Sequence, residues 1–227
     1  MSDLILITIS TREPSNPESG FMATYLAQLA AAGIETHVEM IREFDNMQGG
    51  GTLGGKVAML RKLTLQFQHY DKIVFSDAFD VQFFGTKEDV IAKIPTESVL
   101  MAAEKNCYPE PHLWGAIEKP TPWAFVNGGL LCGTPASFIA WLEAIEQHPE
   151  YDPNSLDQAW FNRRLAEKSP IVKVDSSTNL FYCLFGEISE LCFERGLPHN
   201  AALGTYPQFI HANGQSNRAE IWERQCF

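Results

Sequence analysis

The sequence predicts a single α/β domain with a parallel sheet flanked by helices, and three observations carry that prediction. Leu4–Ile9 is a continuous apolar, largely β-branched run that empties at once into the polar stretch Ser10–Pro14, the pattern of a buried strand ending in a loop. Strand-like and helix-like periods then alternate through the first third of the chain, which argues for parallel strands joined by right-handed crossovers. Finally, 227 residues with 45% hydrophobic and 20% charged side chains are ordinary for one globular domain, and residues 1–227 show no repeat or linker that would divide them.

Element by element, Phe21–Ala32 carries Phe21, Tyr25, Leu29 and Ala32 at helical spacing, with Ser19 as a cap and Gly33 as a stop. Ile34–Ile41 reads as a second strand. Gly49, Gly50, Gly51, Gly54 and Gly55 crowd into a stretch that no regular element tolerates, so it reads as a loop. Lys56–Gln68 returns to helical periodicity, and Lys72–Ser76 is the next apolar strand. Further strands are expected at Ser98–Ala103, Trp123–Val126, Ile171–Val174 and Phe209–His211, and helices at Pro135–Gln147 and Asp157–Lys168.

Charge and cysteine usage narrow the function. Seventeen basic against 28 acidic residues leave a net charge of −11, which repels nucleic acid and anionic lipid. The apolar run after Met1-Ser2-Asp3 is too short for a secretion signal, and nowhere do about 18 apolar residues run together, so a cytoplasmic protein without a membrane span is expected. Five widely spaced cysteines without a Cys-x-x-Cys pair read as reduced thiols rather than as a thiolate zinc site.

Several clusters carry potential chemistry. Gly50–Lys56 matches a phosphate loop as far as the lysine, but Val57 replaces the hydroxyl residue that would hold magnesium, which excludes a nucleoside triphosphatase. A diphosphate beside Lys56 and a helix amino terminus stays open, as does a plain surface loop. Asp77 and Asp80 follow an apolar strand, where two carboxylates can converge on a hard cation or simply shape a turn. Phe79 between them is placed to face a ring or base. His211 ends a strand before Ala212-Asn213-Gly214, which leaves it exposed; taken alone, it reads as structural. Asn127-Gly128-Gly129 interrupts an apolar stretch and marks a bulge or a close backbone approach to a ligand. Asp157 is a helix N-cap in one reading and a base or sugar-binding carboxylate, beside Gln158, in the other.

Together, Gly49–Lys56, Phe75–Val81, Ala103–Glu110, Phe125–Gly129, Leu156–Gln158 and Ile210–Gly214 occur in an order and spacing that resembles the glycosyltransferase domain of the multifunctional procollagen lysyl hydroxylases. The resemblance covers nearly the whole chain and implies a GT-A fold, a Rossmann-like, mostly parallel sheet with a nucleotide-sugar site. It further implies that Asp77, Asp80 and His211 hold Mn²⁺, with Mg²⁺ as a substitute, and that the metal holds the diphosphate of a UDP-sugar. Ile9 and Thr11 would touch the uracil and Phe79, where the family usually has tyrosine, would lie against the base. Lys56 would approach the phosphates, Asn127, Gly128, Asn213 and Gly214 would belong to the UDP-sugar site, and Asp157 and Gln158, as the catalytic pair, would border the sugar and acceptor with Asn127.

Departures from the family qualify the acceptor. Ser155-Leu156 stand where the family often has further aspartates before Asp157. No hydroxylase domain lies within the 227 residues, so an acceptor other than hydroxylysine made by the same chain is expected. The expected activity is transfer of a hexose, glucose or galactose, from a UDP-sugar to a hydroxyl acceptor. The alternatives are transfer to a hydroxylated base in nucleic acid, which the charge disfavours, a catalytically silent UDP-sugar or metal-binding module, and a purely structural domain.

Overall fold

The computed structural model describes residues 3–16, 20–41, 55–185 and 188–214. Its elements run in the order β1 (Leu4–Ser10), α1 (Met22–Ala31), β2 (Glu35–Met40), α2 (Gly55–Gln66), β3 (Lys72–Ser76), β4 (Val81–Phe83), α3 (Lys87–Lys93), β5 (Val99–Glu104), β6 (Phe125–Gly133), α4 (Pro135–Glu146), α5 (Asp157–Ala166), β7 (Val172–Val174), β8 (Phe181–Cys183), β9 (Leu191–Glu194), β10 (Leu197–Asn200) and β11 (Phe209–His211). The predicted Ser19 cap and the glycine loop as far as Gly54 lie outside the described residues.

A six-stranded sheet with strand order β2-β1-β3-β6-β5-β7 forms the centre. Its pairings make every strand parallel except β6, which runs against β3 and β5. Parallel pairing needs a crossover, usually a helix, but the segment between β5 and β6 holds only a 3₁₀ turn, Pro111–Gly115. The chain therefore re-enters the sheet from the edge it left, placing Phe125 opposite Glu104. One antiparallel strand among six keeps the sheet mostly parallel, as expected, and β6 is longer than the predicted Trp123–Val126.

Both faces are covered, as the continuous apolar pattern of β1 requires. Ile5, Ile7, Ile73 and Phe75 point into a core shared with α2 and α4 (Val57, Leu60, Phe138, Trp141). Leu4, Leu6 and Val74 point the other way, against Tyr25 and Leu29 of α1 and Phe181 and Phe209 of the small sheet. Gly33 ends α1 in the left-handed conformation, φ +69, where a side chain would be strained.

The small sheet, β4-β11-β8, and the β9-β10 hairpin were not expected from the sequence. The first matters most, because β11 pairs with β4 on one side and β8 on the other and so fixes the end of the strand that carries His211. Among the described residues no helix is long and apolar enough to cross a membrane.

Candidate active site

The carboxyl ends of β3 and β5, the start of β6 and the amino ends of α2 and α5 meet on one edge of the sheet, where α/β sheets bind ligands. A cleft of about 320 Å³ opens there, lined by Lys56, Asp77, Asp80, Glu104, Tyr108, Asn127, Gly128, Gly129, Asp157, Gln158, Phe185, His211, Asn213 and Gly214. Eleven of the residues singled out from the sequence thus converge on one space.

His211 is 1% exposed, which corrects the expectation that the Ala-Asn-Gly sequence after it leaves it open. The small sheet and Gly129 enclose it. The Asn127 side chain donates from Nδ2 to Glu104 Oε2 at 3.1 Å, so its oxygen faces the other way and takes Gly129 N–H at 2.9 Å. The same oxygen lies 3.0 Å from His211 Nδ1. An amide oxygen only accepts, so Nδ1 carries the proton and the lone pair of a neutral ring sits on Nε2. Nε2 faces Asp80 Oδ1 at 3.3 Å and Asp77 Oδ2 at 3.5 Å. It makes no hydrogen bond among the described residues, although it is buried.

That orphaned nitrogen between two carboxylates is the arrangement a divalent cation satisfies. The three donor atoms all lie within 4.8 Å of one another. A Cβ on Gly129 would stand 2.2 Å from His211 Cε1 and 2.6 Å from Asp77 Oδ2, so only glycine fits beside the cluster. Burial disfavours the His211 imidazolium, but Asp80 and Cys183 outweigh it and lift the pKa well above the ordinary histidine value.

Lys56 is the compensating charge. Its ammonium donates to Asp77 Oδ1 at 3.1 Å and to the Gly128 carbonyl at 2.7 Å, and lies 3.7 Å from Asp157 Oδ2. Burial would lower the Lys56 pKa, yet the two aspartates raise it. Asp157 is the first residue of α5 rather than its N-cap, which is Leu156 with no side-chain cap. Its buried carboxyl has a raised pKa because desolvation exceeds the pull of Lys56.

Glu104 was not singled out from the sequence, yet it organises the far wall. It receives Gln158 Nε2 at 2.6 Å on one oxygen, and Asn127 at 3.1 Å and Asn213 Nδ2 at 2.9 Å on the other. Burial raises its pKa while these amides draw it back. The Gln158 oxygen in turn takes Gly128 N–H at 3.1 Å, and Asn213 takes Phe185 N–H at 3.0 Å. Gly214, φ +66, abuts the Phe185 ring. Tyr108 and Phe185, both exposed aromatics at the cleft, were likewise missed.

Three candidates stand apart from the cleft walls. Ile9 borders a small adjoining cavity with Lys56, Asp77 and Gly128. Thr11 is exposed just beyond β1, and the Phe79 ring is partly buried with the Arg12 guanidinium 5.8 Å from its centroid.

The mostly parallel sheet, with an Asp-x-x-Asp pair and a distant histidine at its ligand-binding edge, is the arrangement that the resemblance to glycosyltransferases implies. A glycosyltransferase structure "involved in the glycosylation of the major capsid of PBCV-1" superposes with a TM-score of 0.58 at 10% identity, over 98% of each chain. The profile of the PLOD GT domain matches residues 2–220, and the chain belongs to that family. Human procollagen-lysine,2-oxoglutarate 5-dioxygenase 2 is 25% identical over 231 residues, which span 93% of this chain but only 30% of that protein.

Proposed function

We propose that this glycosyltransferase is manganese-dependent and transfers a hexose, glucose or galactose, from a UDP-sugar to a hydroxyl acceptor. The observation that carries the proposal is the buried His211 Nε2, without a hydrogen-bond partner among the described residues and faced by Asp77 and Asp80. Asp77, Asp80 and His211 would hold the ion, whose chemistry is to neutralise charge gathering on the diphosphate leaving group. An imidazole beside two carboxylates suits manganese better than magnesium, which prefers oxygen alone.

Charge balance supports a cation. The cleft holds four carboxyl groups, Asp77, Asp80, Glu104 and Asp157, against Lys56 and His211. A diphosphate entering that field is repelled until a metal reverses the sign locally. Lys56 then adds charge near the phosphates while it holds Asp77 and Asp157 in place. Asp157, whose raised pKa improves it as a proton acceptor, is the candidate to orient the sugar or take the acceptor's proton. Gln158, Asn127, Gly128, Asn213 and Gly214 would border sugar and acceptor; Ile9, Thr11 and Phe79 would serve the uracil.

A thermal-shift panel tests the reading: UDP, GDP, CDP and ADP, each with and without Mn²⁺, on the wild type and on Asp80→Ala. UDP with Mn²⁺ at about 100 times its Kd should stabilise by about 2.7 kcal/mol, or roughly 5–10 °C. A shift specific to UDP, requiring both manganese and Asp80, supports the proposal. A well-folded protein that responds to no nucleotide overturns it.

A further inference from the structure

A second group of metal-ligating side chains lies on the β9-β10 hairpin. Arg195 and Gly196, φ +54 and +79, form a two-residue turn with both central residues left-handed, the geometry that closes tight hairpins in fixed register. That register sets Cys192 directly opposite His199. Glu194, two residues on from Cys192, shares its face of the strand, while Phe193 points the other way and packs on Phe84, ring centroids 5.6 Å apart.

The three side chains converge at one point. His199 Nδ1 lies 3.3 Å from Cys192 Sγ and 3.0 Å from Glu194 Oε1. All three donor atoms fall within 4.8 Å of one another. Tetrahedral zinc, with Zn–S near 2.3 Å and Zn–N near 2.0 Å, implies ligand-to-ligand edges of about 3.4–3.5 Å. The Sγ–Nδ1 separation of 3.3 Å is close to those edges, and the Nδ1–Oε1 separation of 3.0 Å is a few tenths of an ångström shorter. Outer support is also in place: the Tyr206 hydroxyl donates to Glu194 Oε2 at 2.6 Å, and its ring stacks on His199 at 4.6 Å with 24° between planes. Such a bond leaves Oε1 turned toward the cluster and resembles the outer partners that orient metal ligands.

We propose that Cys192, Glu194 and His199 bind a zinc-class cation through Sγ, Oε1 and Nδ1, with a fourth position open to water. Binding releases the thiol proton: the Cys192 S–H bond breaks, an S–metal bond forms, and the proton leaves to solvent. A criterion based on cysteine pairs misses such a site because its ligands meet across a hairpin. The ion staples two four-residue strands that are marginal on their own. Glu190, just before β9, is also tied to Lys105 at 2.7 Å, which fixes the entry to the hairpin.

Cobalt titration of the full chain in the Asp80→Ala background tests this, since a thiolate ligand gives cobalt a near-ultraviolet charge-transfer band. One equivalent of Co²⁺ should produce the band and Zn²⁺ should bleach it. Cys192→Ser should abolish the band, and His199→Ala should weaken cobalt binding by more than the roughly 10–100-fold that an outer partner contributes. Circular dichroism checks that each variant folds, and Glu194→Gln, on an exposed edge, provides a milder third variant with weakened binding. Absence of the band from the parent, or its persistence in Cys192→Ser, overturns the proposal.

Discussion

The Asn127 oxygen sits 3.0 Å from His211 Nδ1 and thereby decides which ring nitrogen faces Asp77 and Asp80. The same side chain ties His211 to Glu104, so the proposed metal locus and the amide-lined wall share one residue. Asn127→Ala should weaken Mn²⁺ affinity in the presence of UDP by about 10–100-fold, the usual consequence of losing an orienting partner. Electron paramagnetic resonance titration of Mn²⁺ reads this directly, and unchanged affinity refutes the role.

The neighbouring glycines should respond unequally. A methyl on Gly129 meets His211 and Asp77 within 2.6 Å, whereas one on Gly128 meets Asp157 Oδ2 at 3.0 Å and Phe161 at 3.4 Å. Gly129→Ala should therefore destabilise the fold by about 1–3 kcal/mol, as overpacking does, and remove the metal-dependent thermal shift. Gly128→Ala should keep that shift. Equal behaviour of the two variants contradicts the placement of the metal.

Ionised Asp157 burdens the ligand-free protein. Its folded pKa is raised above the unfolded value, so the folded state holds the extra proton between the two, and stability falls as pH rises through the folded pKa. Asp157→Asn mimics the protonated form. The variant should melt higher than the wild type at pH 7, by about 2–4 °C for each kcal/mol gained, and the gap should close toward pH 4. A gap independent of pH counts against the assignment. Transfer activity should fall in the same variant if Asp157 serves the sugar or acceptor.

Lys56 and Asp157 should also couple. Lys56→Met leaves Asp77 and Asp157 without their ammonium and should destabilise at neutral pH, while Asp157→Asn in the same chain should recover part of the loss. Contacting charged pairs typically couple by 0.5–3 kcal/mol. Additive denaturation free energies in this double-mutant cycle rule the coupling out.

Some of this was legible in the residues and some was not. β3 and β11 occupy their predicted spans because continuous apolar runs with abrupt polar ends leave little choice. Asn127-Gly128-Gly129 marks a bulge as expected: Ala102 faces Asn127 while Met101 faces Leu131, so three residues of β6 bulge between them. β4 and β8 span three residues each, too few to show a period. Glu104 escaped notice because a lone glutamate after a strand reads as a solvated end. Its importance comes from amides at positions 127, 158 and 213, which only the fold assembles. His211 looked exposed for the same reason, since the strands that enclose it are distant in sequence or too short to predict.

The docking of β11 between β4 and β8 has a consequence for how the chain acquires its site. Asp80 stands beside β4 and His211 ends β11, so the donor set closes only when the last described strand finds the first third of the chain. An unfolded chain presents no such set, and any ion or nucleotide bound there reports the completed topology rather than a local segment. Occupancy and folding are then one linked equilibrium, and the cleft is withheld from partly built chains.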